Sequence, residues 1–256
     1  MDISTLFLFP FFLVFCRLGA AVLVFPGLSD DAIPARARLL VAVGASLLIF
    51  PLVQKGLPTL PPTTGQLALF IGAELVTGLL MGLGARLFMA ALSLAGEMIA
   101  FSSGLQAATM FDPTSQSTTG APTIFLTLAG GLVVLSLGLH HDLIRAIAQS
   151  YATFPVGVLP PVGGVAAAVV QIFADFSSLG LQLAAPVVVA GLLTTALFGL
   201  LNRLIPQLQV FFISVPLTLI IAMVLLAAAV PQLMEVWAAT VAERMSVFAT
   251  EPSIDF

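Results

Sequence analysis

Three ionisable side chains, Glu74, Arg86 and Glu97, stand inside one long apolar run at residues 67–101. Ionisable groups in such a setting are costly and usually functional, so this set can relay protons or hold a neighbouring chain by ion pairing. Arg86 and Glu97 lie eleven positions apart, and eleven steps of 100° return a helix to nearly the same face. Ala90 and Ser93 fall between them on that stripe. The stripe is small and polar, which suits a subunit contact or a water-lined surface. Arg17 interrupts a separate apolar run. A charge there costs about 2.5–3.5 kcal/mol on insertion scales, so it must face protein, water or a partner rather than lipid. His140-His141 is the one histidine site. Adjacent histidines cannot share a helical face, and no cysteine or further histidine supports a metal set. The competing role is to cap the end of a helix over residues 123–139, where donor and cationic side chains are favourable. The chain has no GxxxxGK[ST] phosphate cradle and no GxSxG turn. The expectation is a non-enzymatic protein with no cofactor and no metal.

A polar interval at residues 104–122, reading GLQAATMFDPTSQSTTGAP, breaks the apolar pattern. Asp112 precedes Pro113, which disfavours helix there, and the hydroxyls and glycine at 115–120 continue a loop. Met110 and Phe111 put an apolar pair beside this fixed turn. Two readings stand: a plain solvated connector, or a mobile gate within a helical membrane body. Met is unbranched and adaptable, so it can seal an irregular gap and yield when pushed.

These residues need helices to position them. The chain of 256 residues is 60% hydrophobic and 8% charged, against about 25% charged in an average soluble domain. Its mean hydropathy is +1.17. It is therefore read as an all-α integral membrane protein. Apolar runs cover residues 3–25, 39–53, 67–101, 123–139, 179–201 and 209–230, about six segments. The third is 35 residues without proline, about 52 Å of helix at 1.5 Å per residue and longer than one bilayer core requires. Gly78 and Gly82 within it form a GxxxG pair, a spacing that lets helices approach closely. Residues 165–178 read as a short amphipathic helix, and residues 232–256 as a polar tail. Pro10 is expected to kink or delay its helix and Pro216 to bend its own; Pro186 lies near the start of the run at 179–201. Cys16 stands alone in an apolar run, as a small core residue. No basic patch serves nucleic acid. Positive charges in alternate loops tie, so they set no orientation. The charges at Arg17, Glu74, Arg86, Glu97, Asp142 and Arg203 are too many for an isolated bundle facing lipid, which implies a larger assembly.

The series Arg17–Gly19–Pro26–Pro34–Arg38–Pro51, Glu74–Gly78–Gly82, Ala95-Gly96-Glu97, Gly104-Leu105, Phe111-Asp112-Pro113, His140-His141 and Ser150–Pro155–Gly157 resembles the flagellar biosynthetic protein FliR family. These are the R-type subunits of the flagellar export gate, homologous to the T-type subunits of injectisome type III secretion systems. The resemblance implies a structural subunit of a protein-export channel in the bacterial inner membrane, at the flagellar basal body. It implies one membrane domain, residues 1–256, whose long helical hairpins join a heteromeric helical ring. Partners would be P-type and Q-type membrane subunits, B-type and A-type export components, unfolded export substrates in transit and membrane lipid. Residues 104–122 would be a pore plug, carried here by Gly104, Leu105, Met110, Phe111, Asp112, Pro113 and Pro122. Arg17, Glu74, Arg86, Glu97, His140 and His141 remain as subunit-contact or buried polar residues. A secondary transporter built around Glu74, Arg86 and Glu97 is the rival reading, but it calls for broken helices and an inverted repeat.

Overall fold

A computed structural model describes residues 3–25, 34–105, 119–205 and 210–250. The described residues form α1 (Ile3–Val24), α2 (Ala35–Val53), α3 (Thr64–Ser102), α4 (Ala121–Ser136), α5 (Leu139–Thr153), α6 (Val162–Leu204) and α7 (Val210–Thr250), with a 3-10 turn at Gln54–Gly56. There is no strand among them. Five of these helices, α1, α2, α3, α6 and α7, are long and apolar enough to cross a membrane, and α4 is a shorter apolar helix. Together they account for the six apolar runs of the sequence. The chain is an all-α integral membrane protein.

Two boundaries differ from expectation. Residues 165–178 and 179–201 are parts of one helix, α6, with Pro186 inside it. Proline removes a single backbone bond, which an apolar membrane helix can absorb by local adjustment. The polar tail is likewise helical to Thr250 as the end of α7, and Pro216 and Pro231 lie within that helix. Glu and Arg propagate a helix well, so a loss of apolar character does not end one. Pro10 is inside α1, which does not start after it.

The chain divides into two compact units. The first comprises residues 1–88, 135–173 and 241–256. In it, Gly78 and Gly82 of α3 lie against the backbone carbonyls of Arg17 and Ala21 of α1, so close that a Cβ at either glycine would overlap its carbonyl. Both pairs advance by four residues in the same direction, so α1 and α3 run parallel along this seam. The GxxxG spacing thus has a concrete use: it brings two backbones together where any side chain would hold them apart. Around the seam, Val14, Leu18, Ala21, Ile49 and Ile147 form a buried cluster, with Phe50, Met81 and Tyr151 packed on it. Phe11 meets Phe50 edge to face, centroids 5.8 Å apart.

The second unit comprises residues 89–134 and 174–240. Gly96 of α3 receives Thr123 of α4, and Gly130 of α4 receives the Leu92 side chain. These two helices therefore run antiparallel. Gly180 and Gly191 of α6 meet the Ala91 and Ser102 carbonyls of α3, again in equal steps of eleven. Trp237 of α7 is fully buried and approaches Gly130.

Close approach and open glycines can be told apart by substitution. Gly78→Ala is expected to lower stability by about 1–3 kcal/mol through overpacking. At Gly44 of α2 a Cβ would have nothing within 4 Å, so Gly44→Ala is expected to raise stability by about 0.5–1 kcal/mol. Thermal unfolding of the two detergent-solubilised variants, compared with the parent, checks both signs.

Candidate functional site

Arg17 and Glu74 meet inside the first unit, 1% and 0% exposed. Arg17 Nε donates to Glu74 Oε2 at 2.8 Å and Nη2 to Oε1 at 3.0 Å. This is a two-pronged guanidinium–carboxylate pair, the strong and oriented form of the interaction. Nη2 also donates to the Phe154 carbonyl at 3.0 Å, and Nη1 to Ser150 Oγ at 3.0 Å. Ser150 Oγ donates its own proton to the Ile147 carbonyl at 2.7 Å. The backbone N–H of Gly157 lies beside the Glu74 carboxylate. Tyr151 covers the flat face of the cation, its ring centre 3.9 Å from Arg17 Cζ. Burial is the main effect on the Tyr151 phenol and pushes it above its ordinary value, so the ring beside Arg17 stays neutral.

The sequence builds this locally. Glu74 and Gly78 are one turn apart on α3, hence on one face. Gly78 admits the Arg17 backbone, and helical side chains lean toward the N-terminus, so the guanidinium reaches back to Glu74. The third wall is α5 with the turn after it. Gly157 has φ +81°, and a Cβ there would collide with the Phe70 ring. Only glycine takes this conformation without strain. It turns the chain so that the Phe154 carbonyl and the Gly157 N–H address opposite ends of one ion pair.

A pair this deep need not add stability, since desolvation offsets much of the attraction. Its effect is directional. Six groups from α1, α3, α5 and one turn must be in register at once, and a displaced member leaves a buried charge unmet.

Glu74 therefore pairs with Arg17, 57 positions away, and not with Arg86 or Glu97. The expectation that the chain must leave its stray charges to other subunits is corrected for these two. Arg86 and Glu97 are both exposed, and among the described residues neither has an ion-pair partner. His141 is exposed and stands in the first turn of α5. The histidines thus open α5 rather than cap α4, because Gly138 at φ +72° ends one helical course and begins the next. The His140 side chain lies outside the described residues. Of the expected plug, Gly104 has φ +74° and is exposed just beyond α3, and Leu105 is half-buried. Met110, Phe111, Asp112 and Pro113 lie outside the described residues. Pro122 is buried in the first turn of α4, beside Gly120, whose carbonyl accepts from Thr123 and Ile124. Ser150, Tyr151, Phe154 and Gly157 belong to the charge cluster, and residue chemistry alone does not point to them. No group of three metal-ligating side chains occurs among the described residues.

An apolar all-α chain with this internally neutralised pair is a membrane-embedded protein of the helical class. The family described as bacterial export proteins, family 1, matches residues 8–243. The flagellar biosynthetic protein FliR of Caulobacter vibrioides is 39% identical, covering 92% of this chain and 94% of its own. FliR of Aquifex aeolicus is 30% identical over 88% of this chain and 86% of its own. FliR of Escherichia coli is 30% identical over 84% and 82%. The chain belongs to the bacterial export protein family 1.

Breaking the pair from one side should be far worse than deleting it. Arg17→Ala and Glu74→Ala are each expected to cost about 3–5 kcal/mol, while Arg17→Met combined with Glu74→Leu recovers most of that loss. Membrane accumulation and thermal unfolding of the three variants check this; equal damage in single and double variants would contradict it.

Proposed function

We propose that the chain is the R-type structural subunit of the flagellar type III protein export gate, forming part of a protein-translocation channel in the bacterial inner membrane. The observation that carries this reading is the family match over residues 8–243, with FliR relatives aligned over most of both chains. The relatives named above are flagellar, which favours the flagellar role over the injectisome one. Exposed Arg86 and Glu97 support assembly, since charges on an apolar helix are best met by ion pairs from neighbouring subunits. P-type and Q-type membrane subunits fill that role, with B-type and A-type components attached.

The chain works in this reading without covalent chemistry. Loop 104–122 leaves α3 at Gly104 and enters α4 at Pro122, and its Met110-Phe111 tip closes the pore at rest. An apolar constriction excludes water and ions by dewetting, and an arriving unfolded polypeptide displaces it. The driving energy comes from other components of the machine, because the chain has no nucleotide cradle.

Three measurements test the proposal. A tagged chain purified from its host membranes is expected to retain two further kinds of membrane protein, and a null strain is expected to secrete no flagellar subunits. Recovery of a solitary chain in mild detergent removes the assembly reading. Deleting residues 104–120 is expected to raise membrane ion conductance while the same proteins still co-purify; a tight membrane around an intact complex removes the plug.

A further inference from the structure

Helix α5 is held in the first unit by means unlike those that hold α1. Helix α1 buries Leu13, Val14, Leu18, Ala20, Ala21 and Val22, and its backbone is interlocked with α3 at Gly78 and Gly82. Of the α5 side chains that are described, Ala146 and Ile147 are the only apolar ones buried, and Tyr151 is half-buried. The helix contains no glycine, so it has no close backbone seam of that kind. Its remaining hold is polar and gathered at one end. Ser150 Oγ accepts from Arg17 Nη1, the Phe154 carbonyl accepts from Nη2, and the Tyr151 ring covers Cζ. All three act on one guanidinium from about one helical turn, so a shift that spoils one contact spoils the others.

Both ends of α5 are jointed. Gly138 before it and Gly157 after it have φ +72° and +81°, two of the three positive-φ positions among the described residues. Glycine changes its backbone angles at little steric cost, and hinges gather at the ends of elements. Between the joints the helix closes its own backbone. The His141 N–H donates to the Gly138 carbonyl at 2.8 Å, and the Phe154 N–H to the Ser150 carbonyl at 2.7 Å. The Phe70 ring of α3 backs Gly157 and marks where the jointed segment ends. Elements with few buried apolar contacts open at a lower free energy than the core around them. Here opening also spares the ion pair, because Glu74 grips Arg17 through two hydrogen bonds that involve no part of α5.

We infer that α5 is a strap that opens as one body between Gly138 and Gly157. It lifts Ser150, Tyr151 and Phe154 from Arg17 together and uncovers the Arg17–Glu74 pair without breaking it. The inference stands on the geometry of the first unit and does not depend on the export-gate reading.

Backbone hydrogen exchange tests it, read by mass spectrometry on overlapping peptides of the full chain in mild detergent, with whatever membrane proteins it retains. The expected result is one common exchange rate across α5, faster than the rates in α1 and in residues 70–82 of α3. Ser150→Ala is expected to speed exchange in α5 by about 10–100-fold, the worth of a hydrogen bond to a charged group, and to leave α1 and α3 unchanged. Tyr151→Leu removes the aromatic cover and is expected to speed α5 by about 3–30-fold. Tyr151→Phe keeps the ring and loses a hydroxyl that has no hydrogen-bond partner, so its α5 rate should match the parent. This variant and Ser150→Ala are small changes that answer even if Tyr151→Leu fails to accumulate. The strap is overturned if α5 exchanges only in step with α1 and α3, if its rates fall off gradually from its ends, or if Ser150→Ala speeds all three helices alike or none.

Discussion

A guanidinium that cannot reach water dictates how the first unit is built. Arg17 has to be met on several sides at once, by a carboxylate, a hydroxyl, a carbonyl and an aromatic face. The carboxylate comes from α3, and the hydroxyl, the aromatic face and the carbonyl come from α5 and the residue that ends it. Helix α3 can supply Glu74 only because Gly78 lets α1 come close. The turn beyond α5 can supply Phe154 only because Gly157 takes a conformation that other residues resist. The glycines and the charges are thus one device, with the former setting the distance and the latter fixing the register. Apolar packing alone would not choose the register, because leucine and valine surfaces slide against each other at small cost, whereas an ion pair in a dry setting has one acceptable position.

Much of this is legible in the residues. The apolar runs mark the helices, because period and length dominate where nearly every side chain is greasy. The GxxxG spacing at Gly78 and Gly82 points to a close helix contact, and Arg17 and Glu74 are each recognisable as groups that need company. Their mutual pairing is not legible. The two are 57 positions apart, and helical periodicity relates only residues on one helix. The same blindness favours Arg86 and Glu97, which share a face of α3 by arithmetic but not a bond. Ser150 stands in the family series without a role and Tyr151 is not in it, because a serine or a tyrosine near a helix end is ordinary; only the fold sets them around a cation.

The boundaries that differ do so because a helix, once begun, is costly to end in an apolar setting and is carried on by good helix formers beyond it. The pattern of polarity suggests boundaries between residues 178 and 179 and after Val230, yet α6 and α7 run through them. In water, a helix end is cheap because solvent takes over the freed backbone groups. In an apolar setting each freed group lacks a partner, so the chain keeps the helix and tolerates one missing donor. The histidines illustrate the reverse case. One left-handed glycine at 138 is enough to separate α4 from α5, and with it to move His140 and His141 from a helix end to a helix start.

The order of synthesis gives the arginine a second significance. Chains emerge from the ribosome at about 5–20 residues per second. Glu74 follows Arg17 by 57 residues and Ser150 by 133, so Arg17 waits roughly 3–11 s for its counter-ion and longer for its hydroxyl. For that interval α1 is a poor lodger in hydrocarbon and must be kept near the insertion machinery or the bilayer surface. The parallel packing of α1 and α3 then acts as a checkpoint in biogenesis: until the third helix arrives, the first has no settled place in the membrane.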